Sequence, residues 1–188
     1  MAVSKRRSAG EQLPPLQLET IQGATLQMPA AGLVHLQFRR FAGCPVCNLH
    51  LQTFARAHQR LTDAGVLTVA FFHSTAEQMR PYQGQLPFPC VADPERRWYD
   101  SFGVERSIFA VAHPRVVGAA LKGLVAAPSN PFVGGTAQTG LPADFLLDRD
   151  NVIVAAHYGS HANDQWSVDE VIALARTAAR TLGGGSSD

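Results

Sequence analysis

Two cysteines separated by two residues, Cys44 and Cys47 in FAGCPVC (41–47), are the side chains best placed for chemistry in this 188-residue chain. Such a pair can cycle between dithiol and disulfide, supply half of a tetrahedral metal site, or pack as small apolar residues. The register around them separates the two thiols. Cys47, Leu51, Phe54, His58 and Leu61 step by four, three, four and three, which predicts one buried helix face. Pro45 suits the first helical position, where its missing N–H costs nothing. Cys47 is therefore expected to turn inward, and Cys44 to sit exposed at the cap.

Position matters because the thiolate is the reactive form. A free cysteine is only about 3% ionised at pH 7, whereas one with a pKa of about 7 is half ionised. The unpaired N–H groups of a first helical turn favour an anion at Cys44. Arg39 and Arg40 would add positive potential, though little if they are exposed and screened. A shift of about 1.5 pH units requires only about 2 kcal/mol. The spacing also brings the side chains within reach of a disulfide. On this reading Cys44 attacks a disulfide or an oxidised substrate, and Cys47 resolves the mixed intermediate.

The other readings meet specific obstacles. Covalent haem needs histidine directly after the second cysteine, and Asn48 stands there. Zinc needs four ligands; a second CxxC is absent, so Cys90 and a distant histidine would have to complete the set. The expectation is no metal and no cofactor. GGTAQTG (134–140) is followed by Leu141 and Pro142 where a phosphate loop requires Lys and Ser or Thr. Cys90, between Pro89 and Val91 in an apolar strand, is expected to be a buried, inert thiol. His50 lies one helical turn after Cys47 and could approach the site, while His58 reads as core.

Lys plus Arg number 16 against 15 Asp plus Glu, a net charge of +1. That balance provides no global field for nucleic acid or an anionic membrane surface. No apolar run approaches the 18 residues or so of a membrane span. The basic start leads into SAGEQLPP rather than an apolar signal core, so a cytoplasmic location is expected. There, three cysteines indicate catalysis, metal or burial rather than a structural disulfide framework.

The surrounding elements must position the pair. Residues 1–12 read as a disordered leader, 13–182 as one domain and 183–188 as a flexible tail. Leu16 and Leu18, then Leu26 and Met28, alternate around Gly23 as a hairpin. LVHLQF (33–38) is a short strand, and the helix from Pro45 runs to the Gly65 stop. VLTVAFFH (66–73) is a strand covered on both faces. A helical turn at TAEQMR, a strand at 87–93 and a helix from Pro94 to about Phe102 follow. Residues 107–124 form an extra helix interrupted at His113-Pro114, and 128–140 a loop. Two strands over 143–158 meet at the Asp148–Asn151 turn. A last helix from Val168 to Leu182 is capped by Ser167 with Glu170 three residues on. This order predicts a single α/β domain with a mixed sheet.

FRRFAGCPVCNLHL (38–51), FPCVADPERRWYDSFGV (88–104) and LPADFLLDRDNVIVAAHYG (141–159) resemble the peroxiredoxin-like branch of the AhpC/TSA family, within the thioredoxin-like superfamily. The resemblance runs from about Leu16 to Leu182. It implies a thioredoxin-like mixed central sheet flanked by helices, with an N-terminal β-hairpin. It also implies a cis-proline loop facing the active thiol, a place that Pro142 matches. The family pattern has proline seven residues, and Thr or Ser three residues, before the peroxide-reacting cysteine. Aligned on Cys47, those positions hold Arg40 and Cys44, so a second thiol replaces the hydroxyl. The activity implied is thiol-dependent reduction of peroxides or disulfides, recharged by an external thiol reductant, with no nucleic acid or membrane partner. The alternative is a non-catalytic thioredoxin-fold module whose thiols sense redox state or hold a metal.

Overall fold

The computed structural model describes residues 5–105, 114–127, 129–130 and 139–183. A five-stranded sheet has the order β5-β4-β3-β6-β7, built from β3 (Leu33–Arg39), β4 (Val66–Phe72), β5 (Cys90–Ala92), β6 (Ala143–Leu147) and β7 (Ile153–Tyr158). β3 pairs parallel with β4 and antiparallel with β6, so the sheet is mixed. A separate hairpin, β1 (Leu16–Glu19) with β2 (Thr25–Met28), pairs Leu16 with Met28 and Leu18 with Leu26.

Apolar side chains fill both faces of this sheet. On one face, α1 (Pro45–Arg56), α2 (His58–Asp63), α3 (Ala76–Gln83) and α6 (Val168–Gly183) contribute Leu51, Phe54, Leu61, Met79, Val171 and Ala175. On the other, the hairpin and α4 (Arg97–Ser101) enclose Leu18, Met28, Phe38, Phe71, Tyr99 and Phe145. Phe38 and Phe71, cross-strand partners in β3 and β4, stack at 4.6 Å between ring centroids. Such a pair contributes about 0.5–1.5 kcal/mol beyond the area it buries.

The helix expected from Pro45 through Leu61 is two helices that meet at Ala57. The Ala57 N–H still reaches Thr53 O at 3.1 Å, so the chain bends without stopping and Leu61 stays inward. Gly65, at φ +72°, makes the turn into β4. The strand expected over 87–93 is shorter, Cys90–Ala92. α5 (Pro114–Ala126) starts at the proline expected to interrupt it. Residues 106–113 of that stretch and 131–138 of the following loop lie outside the described residues, as do 1–4 and 184–188.

Contrary to the expectation of a disordered leader, residues 5–12 lie along β7. Gly10 N donates to Ile153 O at 2.8 Å, Ile153 N to Glu11 O at 2.9 Å, and Arg7 N to the Tyr158 hydroxyl at 2.7 Å. β7 ends the sheet, and its unpaired main-chain groups give this polar segment a partner.

Candidate active site

β3 carries two kinds of side chain. Val34, Leu36 and Phe38 face the hairpin, while His35, Gln37 and Arg39 are buried on the side that α1 covers. The strand ends at Arg39, and a loop, residues 40–44, leads into α1. That loop is pinned by side chains. Ala42 N donates to Ser74 Oγ at 3.1 Å, and Ala42 O accepts from Asn48 Nδ2 at 2.8 Å and Gln83 Nε2 at 2.9 Å. Gln83 Nε2 also donates to Asn48 Oδ1 at 2.7 Å. Asn48, which in the sequence only excluded haem attachment, thus ties the helix to its own entry loop.

Cys44 is the cap of α1, with extended backbone, and Pro45 follows at the first helical position as expected. Cys47 N donates to Cys44 Sγ at 3.3 Å, and Arg40 Nη1 reaches the same sulfur at 3.7 Å. The expected exposure of Cys44 does not hold: Cys44 is 0% and Cys47 1% exposed. The cover comes from α5 and the residues after it. A Cβ on Gly123 would lie 2.2 Å from Pro45 O, and one on Gly43 would lie 2.3 Å from Asn130 O. Asn130 N donates to Gly43 O at 2.9 Å, so main chain lies directly against main chain over the cap. The cap register was legible, whereas the covering helix is far away in sequence.

Burial makes the thiols electrostatically unequal, in the opposite sense to the one expected. Desolvation pushes the Cys44 thiol up well above its ordinary range, and its hydrogen bond to Cys47 adds to that. Desolvation acts on Cys47 too, but it is outweighed by the Cys44 hydrogen bond, the Arg40 guanidinium and main-chain N–H, and Arg39, which bring Cys47 down to about 7. Where Cys47 is ionised, the Cys44 S–H is the donor that favours its charge. Arg39 and Arg40 are themselves buried, at 0% and 5% exposed, so water does not screen them as the sequence reading allowed.

Arg39 is held from below. Its Nη2 donates to Asp144 Oδ1 at 2.7 Å and Gln37 Oε1 at 2.6 Å, and its Nη1 to Asp144 Oδ2 at 3.3 Å. Nη2 also lies 3.2 Å from His50 Nε2, on α1 one turn after Cys47. His35 Nε2 contacts Asp144 Oδ1 at 2.9 Å. Asp144 and Tyr99 escaped the sequence reading. The available signal for Asp144 was a charged residue inside the apolar strand ADFLL.

Pro142 is buried directly before β6, and its carbonyl accepts from Gly159 N at 2.9 Å. The cis bond implied there is not found. Among the described residues the cis peptide is Met28–Pro29, and Leu141–Pro142 is trans, leading extended chain straight into the Ala143–Phe38 pairing. Cys90 is buried, and desolvation pushes it up to about 12. Among the described residues, no group of three His, Cys, Asp or Glu could hold a metal ion, and no helix is long and apolar enough to cross a membrane.

A mixed sheet flanked by helices, with two cysteines at the start of its first long helix, is a thioredoxin-like architecture. Solved structures share this architecture. The peroxidoxin BcpB of Mycobacterium tuberculosis superposes with a TM-score of 0.65 at 14% identity, over 90% of this chain and 97% of that one. M. tuberculosis AhpC gives 0.67 at 16%, over 94% and 96%. A yeast mitochondrial 1-Cys peroxiredoxin gives 0.69 at 13%, over 94% and 78%. The AhpC/TSA family profile matches residues 9–156, and the chain belongs to that family. Comparison with curated protein sequences gives no match.

Proposed function

We propose that the protein is a thiol peroxidase in which Cys47 attacks and Cys44 resolves, the reverse of the order that helix position alone suggested. The observation that carries this reading is the inequality of the two thiols. Cys47 is brought to about 7, where half of it is thiolate at neutral pH, while burial holds the Cys44 proton in place. Membership in the AhpC/TSA family supports the substrate class; aligning the family pattern's peroxide-reacting cysteine with Cys47 leaves Arg40 and Cys44 where that pattern has proline and Thr or Ser.

The steps balance as follows. The Cys47 thiolate attacks the distal peroxide oxygen; an S–O bond forms, the O–O bond breaks, and Cys47 becomes a sulfenic acid. Cys44 passes its proton to the departing alkoxide, which leaves as the alcohol. The resulting Cys44 thiolate lies against Arg40 Nη1 and Cys47 N–H, both of which stabilise it. It attacks the sulfenic sulfur, expels hydroxide and closes the Cys44–Cys47 disulfide. An external thiol reductant then returns both cysteines to the reduced state and is itself oxidised to a disulfide. The yeast relative is described as resolved through glutathione and thioredoxin systems, and a reductant of that class fits here.

A thioredoxin-like reaction initiated by Cys44 is disfavoured because desolvation and the hydrogen bond to Cys47 raise the pKa of that thiol. Stopped-flow oxidation with hydrogen peroxide and an organic hydroperoxide tests the proposal. Cys47→Ser is expected to abolish the fast phase. Cys44→Ser is expected to keep the first oxidation and to accumulate a sulfenic acid that dimedone traps. Fast oxidation of Cys47→Ser with a silent Cys44→Ser would reverse the roles. A wild-type rate no higher than that of a free thiol would overturn the peroxidase reading.

A further inference from the structure

We propose that Asp144 is a positioning residue for Cys47 that acts through Arg39: it holds the guanidinium beneath α1 and limits how much positive charge reaches the sulfur. The inference rests on the reading of Cys47 as the attacking thiol and deepens it. No described contact joins Asp144 to either cysteine, so any influence must pass through its partners.

The geometry defines that path. Asp144 on β6 and Arg39 on β3 are both 0% exposed, and the carboxylate grips the guanidinium with both oxygens, at 2.7 and 3.3 Å. The same Nη2 that meets Asp144 Oδ1 also lies 3.2 Å from His50 Nε2 on α1. Of the pair, the guanidinium is the member with a described contact to the helix that carries Cys47, whereas the described partners of the carboxylate lie on other elements. The remaining partners of Asp144 are His35 Nε2 at 2.9 Å and Trp166 N at 3.3 Å.

The protonation states of the two histidines follow from the hydrogen bonds. Carboxylate oxygens only accept, so His35 donates from Nε2; its buried Nδ1 has no partner, as a neutral ring with a bare nitrogen there requires. Guanidinium nitrogens only donate, so His50 accepts at Nε2 and is likewise neutral. Burial lowers the affinity of both rings for a second proton. The buried group His35, Gln37, Arg39, His50 and Asp144 thus carries one positive and one negative charge. Its effect on Cys47 depends on orientation, and removing the carboxylate would leave a net cation. In a water-poor interior such a change is felt over several ångströms.

The other charged or titratable groups around Cys47 stay fixed in the comparison. They are Arg40 at the end of β3, Cys44 on the cap, and Tyr99 on α4. α5 meets the site through Gly123, with its Lys122 exposed.

This arrangement predicts shifts of opposite sign, which a purely structural role would not produce. Loss of packing at either position would loosen the same region and move Cys47 the same way. Loss of charge moves it down when Asp144 goes and up when Arg39 goes. The readout is the pH dependence of iodoacetamide alkylation, with Cys47 identified by peptide mass.

Asp144→Asn is expected to lower the Cys47 midpoint from about 7 by roughly half a unit to one unit. Arg39→Gln is expected to raise it by about one unit or more, because the carboxylate then acts alone. Either single variant leaves a buried group without its partner and can fail to fold. The double variant Arg39→Met with Asp144→Leu replaces the pair by apolar side chains of similar size, a change that is often neutral for stability. Its midpoint is expected above wild type and below Arg39→Gln.

The order Asp144→Asn, wild type, double, Arg39→Gln supports the proposal. Shifts of the two single variants in the same direction overturn it, as does a double variant within about 0.2 unit of wild type. Because alkylation needs no peroxide, a wild-type protein inert to peroxide would remove the peroxidase reading alone.

Discussion

The Tyr99 hydroxyl donates to the main-chain carbonyl of Arg39, and the N–H on the other side of that same peptide bond, at Arg40, hydrogen-bonds Cys47. A carbonyl that accepts a hydrogen bond polarises its peptide unit and makes the attached N–H a better donor, by about 10–30% per bond. Tyr99 is buried, and its hydroxyl also reaches Phe71 O at 2.9 Å, so it spans the ends of β3 and β4. It is presented by α4, whose first N–H groups are held by Asp93: Arg97 N at 2.8 Å, Trp98 N at 2.8 Å and Tyr99 N at 3.2 Å.

Tyr99→Phe should therefore weaken the Arg40 N–H without adding bulk. The Cys47 midpoint is expected to rise above about 7 by a few tenths of a unit, and alkylation at pH 7 to slow about twofold. Stability should fall by about 1 kcal/mol for the lost buried hydrogen bond. Urea denaturation and alkylation on the same preparation check both. A loss of stability with an unmoved midpoint would reduce Tyr99 to core packing.

Two glycines of α5 provide a paired test of the cover over the thiols. A Cβ on Gly123 would sit 2.2 Å from Pro45 O, a main-chain atom that cannot swing aside, whereas a Cβ on Gly118 would meet nothing within 4 Å. Gly123→Ala is thus expected to lift α5 from the start of α1 and to speed reaction of Cys47 with a bulky aromatic disulfide by about tenfold or more, the equivalent of about 1.4 kcal/mol in opening. Gly118→Ala should leave that rate unchanged and stabilise the helix by about 0.5–1 kcal/mol. Equal rates for the two variants would mean that α5 does not control access.

The local chemistry of the site was more legible than its electrostatics. The 3.6-residue stripe starting at Cys47, with Pro45 at the first helical position, placed Cys44 at the cap of α1 and Cys47 on its inward face. The succession of elements along the chain and the hairpin followed from alternation and turn residues. Exposure did not, because what covers Cys44 is Gly123 and Asn130, brought over the cap by tertiary packing that no local period encodes. Arg39 and Arg40 next to a cap read as surface charge. Only the register of β3 with β6, which sets Gln37 opposite Asp144, reveals that a carboxylate is available to take Arg39 inside. The polar leader likewise gave no sign of the β7 edge on which it lies.

Cys90 provides a negative control within the same molecule. It is fully buried at the start of β5, its thiol reaches Phe88 O at 3.7 Å, and desolvation raises it to about 12. Less than about one part in ten thousand is thiolate at pH 7 on that value. Cys90→Ser is expected to leave the peroxide reaction unchanged, and native wild-type protein to show no alkylation at Cys90 while Cys47 is modified. Oxidised protein carrying a bond to Cys90 in peptide mass maps would show that it resolves the sulfenic acid in place of Cys44.

The buried histidines make stability depend on pH in a defined direction. Burial lowers His35 and, further, His50, so each has a weaker hold on a proton in the folded chain than the 6.5 of an ordinary histidine. As pH falls below about 6.5, the unfolded chain binds protons that the folded chain refuses, and stability drops until the folded values are reached. Each histidine contributes at most about 1.4 kcal/mol per pH unit in that window. Asp144, held down by Arg39 and His35 against its own burial, acts with the same sign only at lower pH, below about 4. Cys47, lowered from 9.0 to about 7, adds stability between those two values and is protonated in both states below pH 6. Asp93, which burial pushes up, gains its proton earlier in the folded chain and acts with the opposite sign as pH falls. Urea denaturation at pH 6.5, 6 and 5 therefore reads the histidines at the upper end of the range, where a decline approaching about 2.7 kcal/mol per unit is expected if both contribute. His50→Gln should halve that slope. A flat profile over this range would mean that His35 and His50 accept protons inside the fold, and would undo the neutral tautomers on which the orientation of Arg39 depends.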